Sequence, residues 1–555
     1  MKKGWVFWLA VFVFQTAYAQ QLGVNRASIK WRQIDTDASR VIFPVGQDSI
    51  ANRVATLTQA LAARHRGTIG NRMKKIDIVL QSENTLSNAY VGLGPYRSEL
   101  YMTPPQDPFT LGANNWADQL AIHEFRHAQQ FSHFNVGLSK VGTILGGQYG
   151  RAIANGMAVP DWFWEGDAIW NETVHTQQGR GRIPFFFNAY KSLDYGNRQY
   201  SWMKLRNGSF KDLVPNHYDL GYLLVSYGRE KYGDTLWNKV TEEAASFKGL
   251  FYPIEKSVQK HTGVSYKDFR QAGPKHFQDK WKDDHKAPDQ WVTGTQKRNV
   301  INYRYPYPRE DGGIIVLKTS YRQIPTFTTI DANGVQQRIA VKDIGYDDYF
   351  SYRNGMVVYA AYQPDPRWDR REYSVIRLLY TDTRQQLNIT SNTRYFSPDI
   401  SADGERIVAV EVYPGRPSEI HVLDLDGNVL QKFTADPALF YSHPKWTEDG
   451  SGVVVAARKN DGQMGWMLWQ PGDNSFKWLL EPAQRLVGFP VVQGDTLVYT
   501  HSANGVDGLY AIVIPTGKMF ELQTHGTGIY QGFLRGHQLI GSTFTADGYR
   551  LAAWD

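Results

Sequence analysis

The residues best placed to do chemistry are five in a row, His123-Glu124-Phe125-Arg126-His127. Histidines four positions apart on a helix put both imidazoles on one face, one turn apart, where both can reach a single Zn2+. Glu124 lies one position round from the first imidazole. It can reach a water on the ion without ligating the ion itself, which is the place of a general base. Ala117, Leu120, Ala121, Phe125 and Ala128 recur at helical spacing, with neither proline nor glycine in residues 115–131. A helix over that span is expected to present the pair. The chain contains no cysteine, which excludes thiolate ligands, disulfides, a cysteine nucleophile and a lipid-modified cysteine anchor.

A further ligand has to come from elsewhere in the chain, and Pro160-Asp161-Trp162-Phe163-Trp164-Glu165-Gly166-Asp167-Ala168 is the segment that offers one. With it the sequence resembles the gluzincin superfamily of zinc metallopeptidases. Its letters match the Trp-x-x-Glu-Gly-x-Ala segment of the aminopeptidase N family at Trp162, Glu165, Gly166 and Ala168. The resemblance implies that Glu165 is the third zinc ligand. That family also has an acidic residue seven positions further on, where Glu172 stands. Seven positions are nearly two helical turns, so Glu172 shares the ligand face and can hold the second nitrogen of a histidine. Tyr218-Asp219-Leu220-Gly221 resembles the Tyr-x-Lys-Gly segment of the same family. This implies Tyr218 as the hydrogen-bond donor to the oxyanion of a tetrahedral intermediate. Leu220 stands where the lysine would be, and His217 and Tyr222 are the neighbouring alternatives for the donor.

Two features depart from the family pattern. Between His127 and Glu165 lie 37 residues, more than in aminopeptidase N relatives. The glycine-containing stretch Val91-Gly92-Leu93-Gly94-Pro95-Tyr96 lacks the Gly-Ala-Met-Glu-Asn type of sequence whose glutamate holds a free amino group, so the resemblance does not imply an exopeptidase. The expected activity is hydrolysis of peptide bonds in a peptide or protein substrate, with one Zn2+ as cofactor and endo- versus exo-cleavage open. A different class of reading is a vestigial peptidase that serves as a protein-binding scaffold in the cell envelope. A non-peptide hydrolase on the same zinc scaffold is a third.

The elements that must position these residues come in two grammars. Residues 30–44 read as two strands around a turn, 49–64 as a helix, 76–80 as a short strand and 89–102 as an edge strand or hairpin on which an extended peptide could pair. Helical periodicity then governs 115–131, 161–175, 217–232 and 236–246. A small sheet followed by helices is an α+β arrangement, here a zincin-type metallopeptidase domain over residues 20–285, β-rich over 20–113 and helical over 114–285. From residue 286 onward the helical signal is gone. Asp311-Gly312, Asn354-Gly355, Asp403-Gly404, Asp449-Gly450, Gln493-Gly494 and Arg535-Gly536 follow one another at 43, 49, 46, 44 and 42 positions. A period in the forties with about four strands per unit predicts a β-propeller, here of six blades over 286–555. The unit beginning Tyr395-Phe396-Ser397-Pro398-Asp399, with Asp403-Gly404 behind it, resembles the TolB-type repeat. The last unit ends one strand short at Trp554, and residues 290–293 are expected to supply the missing outer strand, because an open edge invites pairing with other chains.

At the N-terminus Lys2 and Lys3, an apolar run from Trp5 to Phe14 and Ala17-Tyr18-Ala19 together read as a secretory signal peptide over residues 1–19. The apolar run is about half the ~20 residues that a spanning helix needs, and no second long apolar stretch follows. An exported protein is expected, with the periplasm, the medium and association with the outer membrane all open as destinations. The net charge of +7 is small for 555 residues and forms no basic run that would track phosphates, so nucleic acid is not an expected partner. An envelope protein held by the propeller is.

Overall fold

A computed structural model of the chain describes residues 23–64, 66–281, 287–472 and 474–555. The signal-peptide reading of residues 1–19 and the domain boundary at 285/286 lie outside the described residues. Five strands open the chain: β1 (Trp31–Asp35), β2 (Ser39–Pro44), β3 (Ile76–Gln81), β4 (Ala89–Gly92) and β5 (Arg97–Tyr101). They form one sheet in the order β1-β2-β3-β5-β4. β2, β3 and β5 run parallel, and β1 and β4 are antiparallel edges. Alternation sets the buried face: Val41 and Phe43 in β2 and Ile76, Ile78 and Leu80 in β3 point into a core shared with helix α1 (Asp48–Arg64). Residues 89–102 contain a hairpin, and β4 is the free edge that the sequence suggested.

Among the described residues ten further α-helices follow: α2 (Pro108–Leu111), α3 (Trp116–His133), α4 (Gly137–Ala158), α5 (Asp161–His175), α6 (Asn188–Tyr195), α7 (Trp202–Asn207), α8 (His217–Tyr232), α9 (Leu236–Ala245), α10 (Pro253–Thr262) and α11 (Tyr266–Gln278). Those expected from periodicity are α3, α5, α8 and α9. The longest, α4, was not expected. Its glycines at 137, 142, 146, 147, 150 and 156 lower helix propensity, and Gly146 and Gly147 leave the helical region so that it folds into two arms. Among the described residues no helix is long and apolar enough to cross a membrane.

The second half is a six-bladed β-propeller. Six four-stranded antiparallel sheets span residues 301–341, 350–388, 395–433, 440–483, 487–524 and 529–554, the last completed by Gln290–Trp291. The repeating turn dipeptides join the first and second strands of each blade. Their glycines, 312, 355, 404, 450, 494 and 536, all have positive φ, a conformation that glycine adopts at no steric cost. This is why the period shows in the sequence. The ring closes as expected: Trp291 and Gln290 pair with Ala552 and Ala553. Val292 N donates to Leu551 O at 2.9 Å, and Thr293 Oγ1 accepts from Leu551 N at 3.0 Å.

The N-terminal domain is docked on the propeller by specific bonds. Arg394, buried, donates to Glu83 O, Asn84 O and Thr103 Oγ1 at 2.9, 2.6 and 2.6 Å. Glu372 accepts from Thr85 N at 2.8 Å, and Gln178 Nε2 donates to Gly462 O at 2.6 Å. Phe109 of α2, fully buried, lies among the first strands of the blades, stacked on Phe489 at 5.2 Å and edge-on to Tyr530 at 5.8 Å.

Candidate metal centre

Helix α3 is sandwiched, and its two faces do different work. Ala117, Leu120, Ala121, Phe125 and Ala128 pack into the core under the sheet, which turns His123 and His127 toward α5. Asn115 caps the helix, accepting from Ala117 N at 3.1 Å, and its amide also donates to Asn460 of the propeller. From α5, Glu165 reaches both imidazoles: its Oε2 lies 3.3 Å from His123 Nε2 and 3.5 Å from His127 Nε2. One ligand atom from each of the three residues falls within 4.8 Å of the others, a spacing that one small cation could bridge.

The imidazoles are held from behind. His123 Nδ1 lies 3.1 Å from Glu172 Oε2, and His127 Nδ1 lies 2.8 Å from Gln130 Oε1. Tautomers that donate Nδ1–H to these oxygens would leave both Nε2 lone pairs available to an ion held beside Glu165. Glu172 is fully buried and is gripped by Arg180, whose Nε and Nη2 lie 2.7 and 2.9 Å from its oxygens and whose backbone N lies 3.1 Å away. Nη2 is also 2.8 Å from His123 Nδ1. Burial opposes ionisation of Glu172, but Arg180 outweighs it and brings the carboxyl down to about 2. Burial likewise opposes charge on Glu165, and the two imidazoles hold it well below the ordinary carboxylate range. His127 is pushed up to about 9 because the charge of Glu165 overrides the cost of burying an imidazolium. The centre thus surrounds a carboxylate with groups that supply positive charge by taking up protons, a role a bound cation would fill.

Glu124 is buried beside the triad with one carboxylate oxygen, Oε2, unpartnered. Burial pushes its carboxyl up, toward the neutral form. A cleft of about 530 Å3 opens over these residues, bordered by Ala89–Val91 of β4, by Ala152, Asn155 and Gly156 of α4, and by Arg180, His217 and Tyr218. Tyr218 sits at the start of α8, fixed by Asn216, which accepts from Tyr218 N and Asp219 N at 2.8 and 3.0 Å. Burial first, and then Glu165, push its hydroxyl up to about 12, so it stays protonated and able to donate. His217 also lines the cleft. Tyr222 does not; it packs into the core against Phe186 and Phe187.

Two glycines set the approach of Tyr218 to Glu165. Gly166 and Gly221 lie where α5 and α8 cross. A Cβ on Gly166 would come within 2.1 Å of Gly221 C, and one on Gly221 within 1.8 Å of Trp162 O. Deeper down, Asp167 accepts from Arg126 Nε and Nη2 at 2.7 and 3.0 Å, from Arg229 Nη2 at 2.7 Å and from Gln130 Nε2 at 2.9 Å, all in buried contacts. One carboxylate therefore locks α3, α5 and α8 together and orients the residue that holds His127. Sequence reasoning missed Gln130, Arg180 and this network. The available signal was Asp167, two positions after Glu165, a charged residue among Phe163, Trp164 and Trp170 on its helix face.

No family model matches the chain, and no curated protein is similar to it. Among solved structures it is similar to TolB from Acinetobacter baumannii, at 18% identity over 53% of this chain and 74% of that one, with a TM-score of 0.31. The putative TolB from Agrobacterium tumefaciens is 13% identical over 48% of this chain and 93% of that one, with a TM-score of 0.34. Puromycin hydrolase is 14% identical over 48% of this chain and 46% of that one, with a TM-score of 0.32. These likenesses say nothing about activity, and the six blades rest on the strand pairing itself.

Proposed function

We propose that this chain is a zinc-dependent metallopeptidase of the gluzincin type, with His123, His127 and Glu165 as the metal ligands. The carrying observation is the convergence of those three ligand atoms beside the buried carboxylate of Glu124, in a cleft bordered by a free strand edge. The donor set fits zinc: two imidazoles with their second nitrogens anchored and one carboxylate, with no cysteine in the chain. When bound, zinc supplies Lewis acidity that acidifies a water and polarises a carbonyl. The rest falls to the protein. Glu124 takes a proton from the attacking water and passes it to the leaving amine, and its raised affinity for a proton suits both halves of that task. The Tyr218 hydroxyl donates to the carbonyl oxygen as negative charge develops on it. Ala89–Val91 of β4 offers its unpaired edge to the backbone of an extended peptide. Glu172 and Gln130 keep the imidazoles in the ligating orientation.

The test is Glu124→Gln in the full chain, with zinc content and peptide-library cleavage measured together. Zinc should remain while turnover falls by about 10²- to 10⁴-fold. Zinc retained in both proteins with no cleavage by either would favour a vestigial scaffold. Unchanged turnover would end the mechanism.

A further inference from the structure

Helix α4 forms one wall of the cleft with its inner residues, and its outer face is apolar and uncovered. Leu138, Val141, Ile144 and Leu145 in the first arm and Tyr149, Ile153 and Met157 in the second are exposed at helical spacing, Ile144 at 73%, Leu145 at 83% and Tyr149 at 69%. The arms fold back at Gly146–Gly147 and touch where both are small: a Cβ on Gly142 would meet Gly150 O at 2.9 Å and the Ala154 methyl at 3.3 Å. The result is a helical hairpin with its largest apolar side chains at the tip.

A second apolar element stands beside its base. Gly137 is pressed on Ser246, where a Cβ would fall 2.5 Å from the Ser246 Cα. The loop that follows Ser246 exposes Leu250, Phe251 and Tyr252, Phe251 at 69% and Tyr252 at 72%. Exposed apolar groups on two adjacent elements mark an interaction site rather than ordinary surface. The charges select the partner. Residues 136–160 contain Lys140 and Arg151 but no Asp or Glu, and residues 244–254 contain Lys248 and no Asp or Glu. Glu242 is already paired with Arg72, and Glu243 with Lys260 and more loosely with Lys248 at 3.9 Å; Asp161 and Glu255 stand one residue beyond these stretches.

We infer that the α4 hairpin and the 247–252 loop dock this protein on a bilayer surface carrying anionic phospholipid. Within each arm the helix satisfies its own backbone groups, so the apolar side chains can enter the headgroup–acyl boundary, where the groups freed at Gly146–Gly147 still reach water and headgroups. Tyr149 and Tyr252 suit the interface, where an aromatic ring with a polar end is favoured. Lys140, and Lys248 whose exposed pairing with Glu243 at 3.9 Å is weak, match anionic headgroups. Ala152, Asn155 and Gly156 line the cleft from the same hairpin, so docking would bring the cleft close to the membrane. The inference stands on the surface alone and does not depend on peptidase activity.

The experiment is co-sedimentation of the full chain with vesicles of phosphatidylethanolamine and phosphatidylglycerol, against vesicles of phosphatidylcholine. Binding to the anionic vesicles is expected, weakened by salt and reduced at least tenfold by Ile144→Asp with Leu145→Asp, while the melting temperature is unchanged. Because the chain has no cysteine, Leu145→Cys takes a single environment-sensitive fluorophore. A blue shift on adding anionic vesicles reports insertion of the tip even if the double variant folds poorly. No binding, equal binding to phosphatidylcholine, or a label that stays in water would each overturn the inference. So would a dimer in sedimentation velocity that buries this face and dissociates in the variant.

Discussion

The residues around the cleft divide by what each would lose on substitution. Among the described residues Glu165 is the carboxylate that faces both Nε2 atoms, so under the proposed ligand set Glu165→Ala would leave two imidazoles for an ion that needs at least three protein ligands. Dialysed protein should show a large drop in zinc per chain, measured by elemental analysis; full retention would remove Glu165 from the site. Tyr218→Phe deletes the donor but keeps the ring that lies over Arg180 at 5.5 Å. Turnover on a peptide should fall by about 10²- to 10³-fold with little change in KM. If His217→Ala produces that fall and Tyr218→Phe does not, the donor is the neighbouring imidazole.

At the scale of elements, the centre depends on helices held at fixed separations. Asp167 is the pin between α3, α5 and α8. Burial works against its charge, yet Arg126 and Arg229 bring its carboxyl down to about 2, below the ordinary ~3.9. A carboxylate whose pKa is depressed on folding contributes stability that is fully present above its unfolded pKa and lost as pH falls through its folded one. Melting temperature should therefore drop between pH about 4 and about 2, and Asp167→Asn should flatten that part of the curve. The same change leaves two buried guanidiniums uncompensated, at a cost of about 3–5 kcal/mol near neutral pH, which chemical denaturation would read. Gly221→Ala tests the helix crossing. With 1.8 Å between the new methyl and Trp162 O, α8 must shift, a strain of about 1–3 kcal/mol, and Tyr218 moves with it. Stability and turnover should fall together, whereas a loss of turnover alone would place the effect in the cleft.

Across the whole molecule, the two halves share one core, and the ring that carries the N-terminal domain is closed by a few residues from just after it. Val292→Pro removes the N–H that meets Leu551 O and, with it, a ladder bond at the seam. Lower thermal stability and increased light scattering on heating are expected, because the last blade then presents an unpaired edge. Unchanged melting would mean that Arg550, which reaches Thr293 O at 2.6 Å through Nη2, and the Thr293 hydroxyl suffice to hold the seam. Phe109 and Arg394 tie the N-terminal half to the same ring, so a loosened seam is also expected to broaden the transition of the N-terminal domain.

Much of this was legible in the chain because it is local. The histidine spacing, the helix that presents it, the six glycine turns and the closing strand at 290–293 all follow from short-range periodicity or from a conformation that one residue type adopts most readily. Helix α4 was hidden by its glycines, whose value appears only when the two arms meet. The pairing of Arg126 with Asp167, the contact of Gly166 with Gly221, the clasp of Arg180 on Glu172 and the seat of Phe109 in the propeller could not be read from spacing. Each joins residues on different elements, from eight positions apart for Arg180 and Glu172 to hundreds for Phe109 and the propeller. Periodicity says which face of an element is buried, but which buried faces meet is decided by packing the whole chain, where close approach and compensation of buried charge leave few arrangements open.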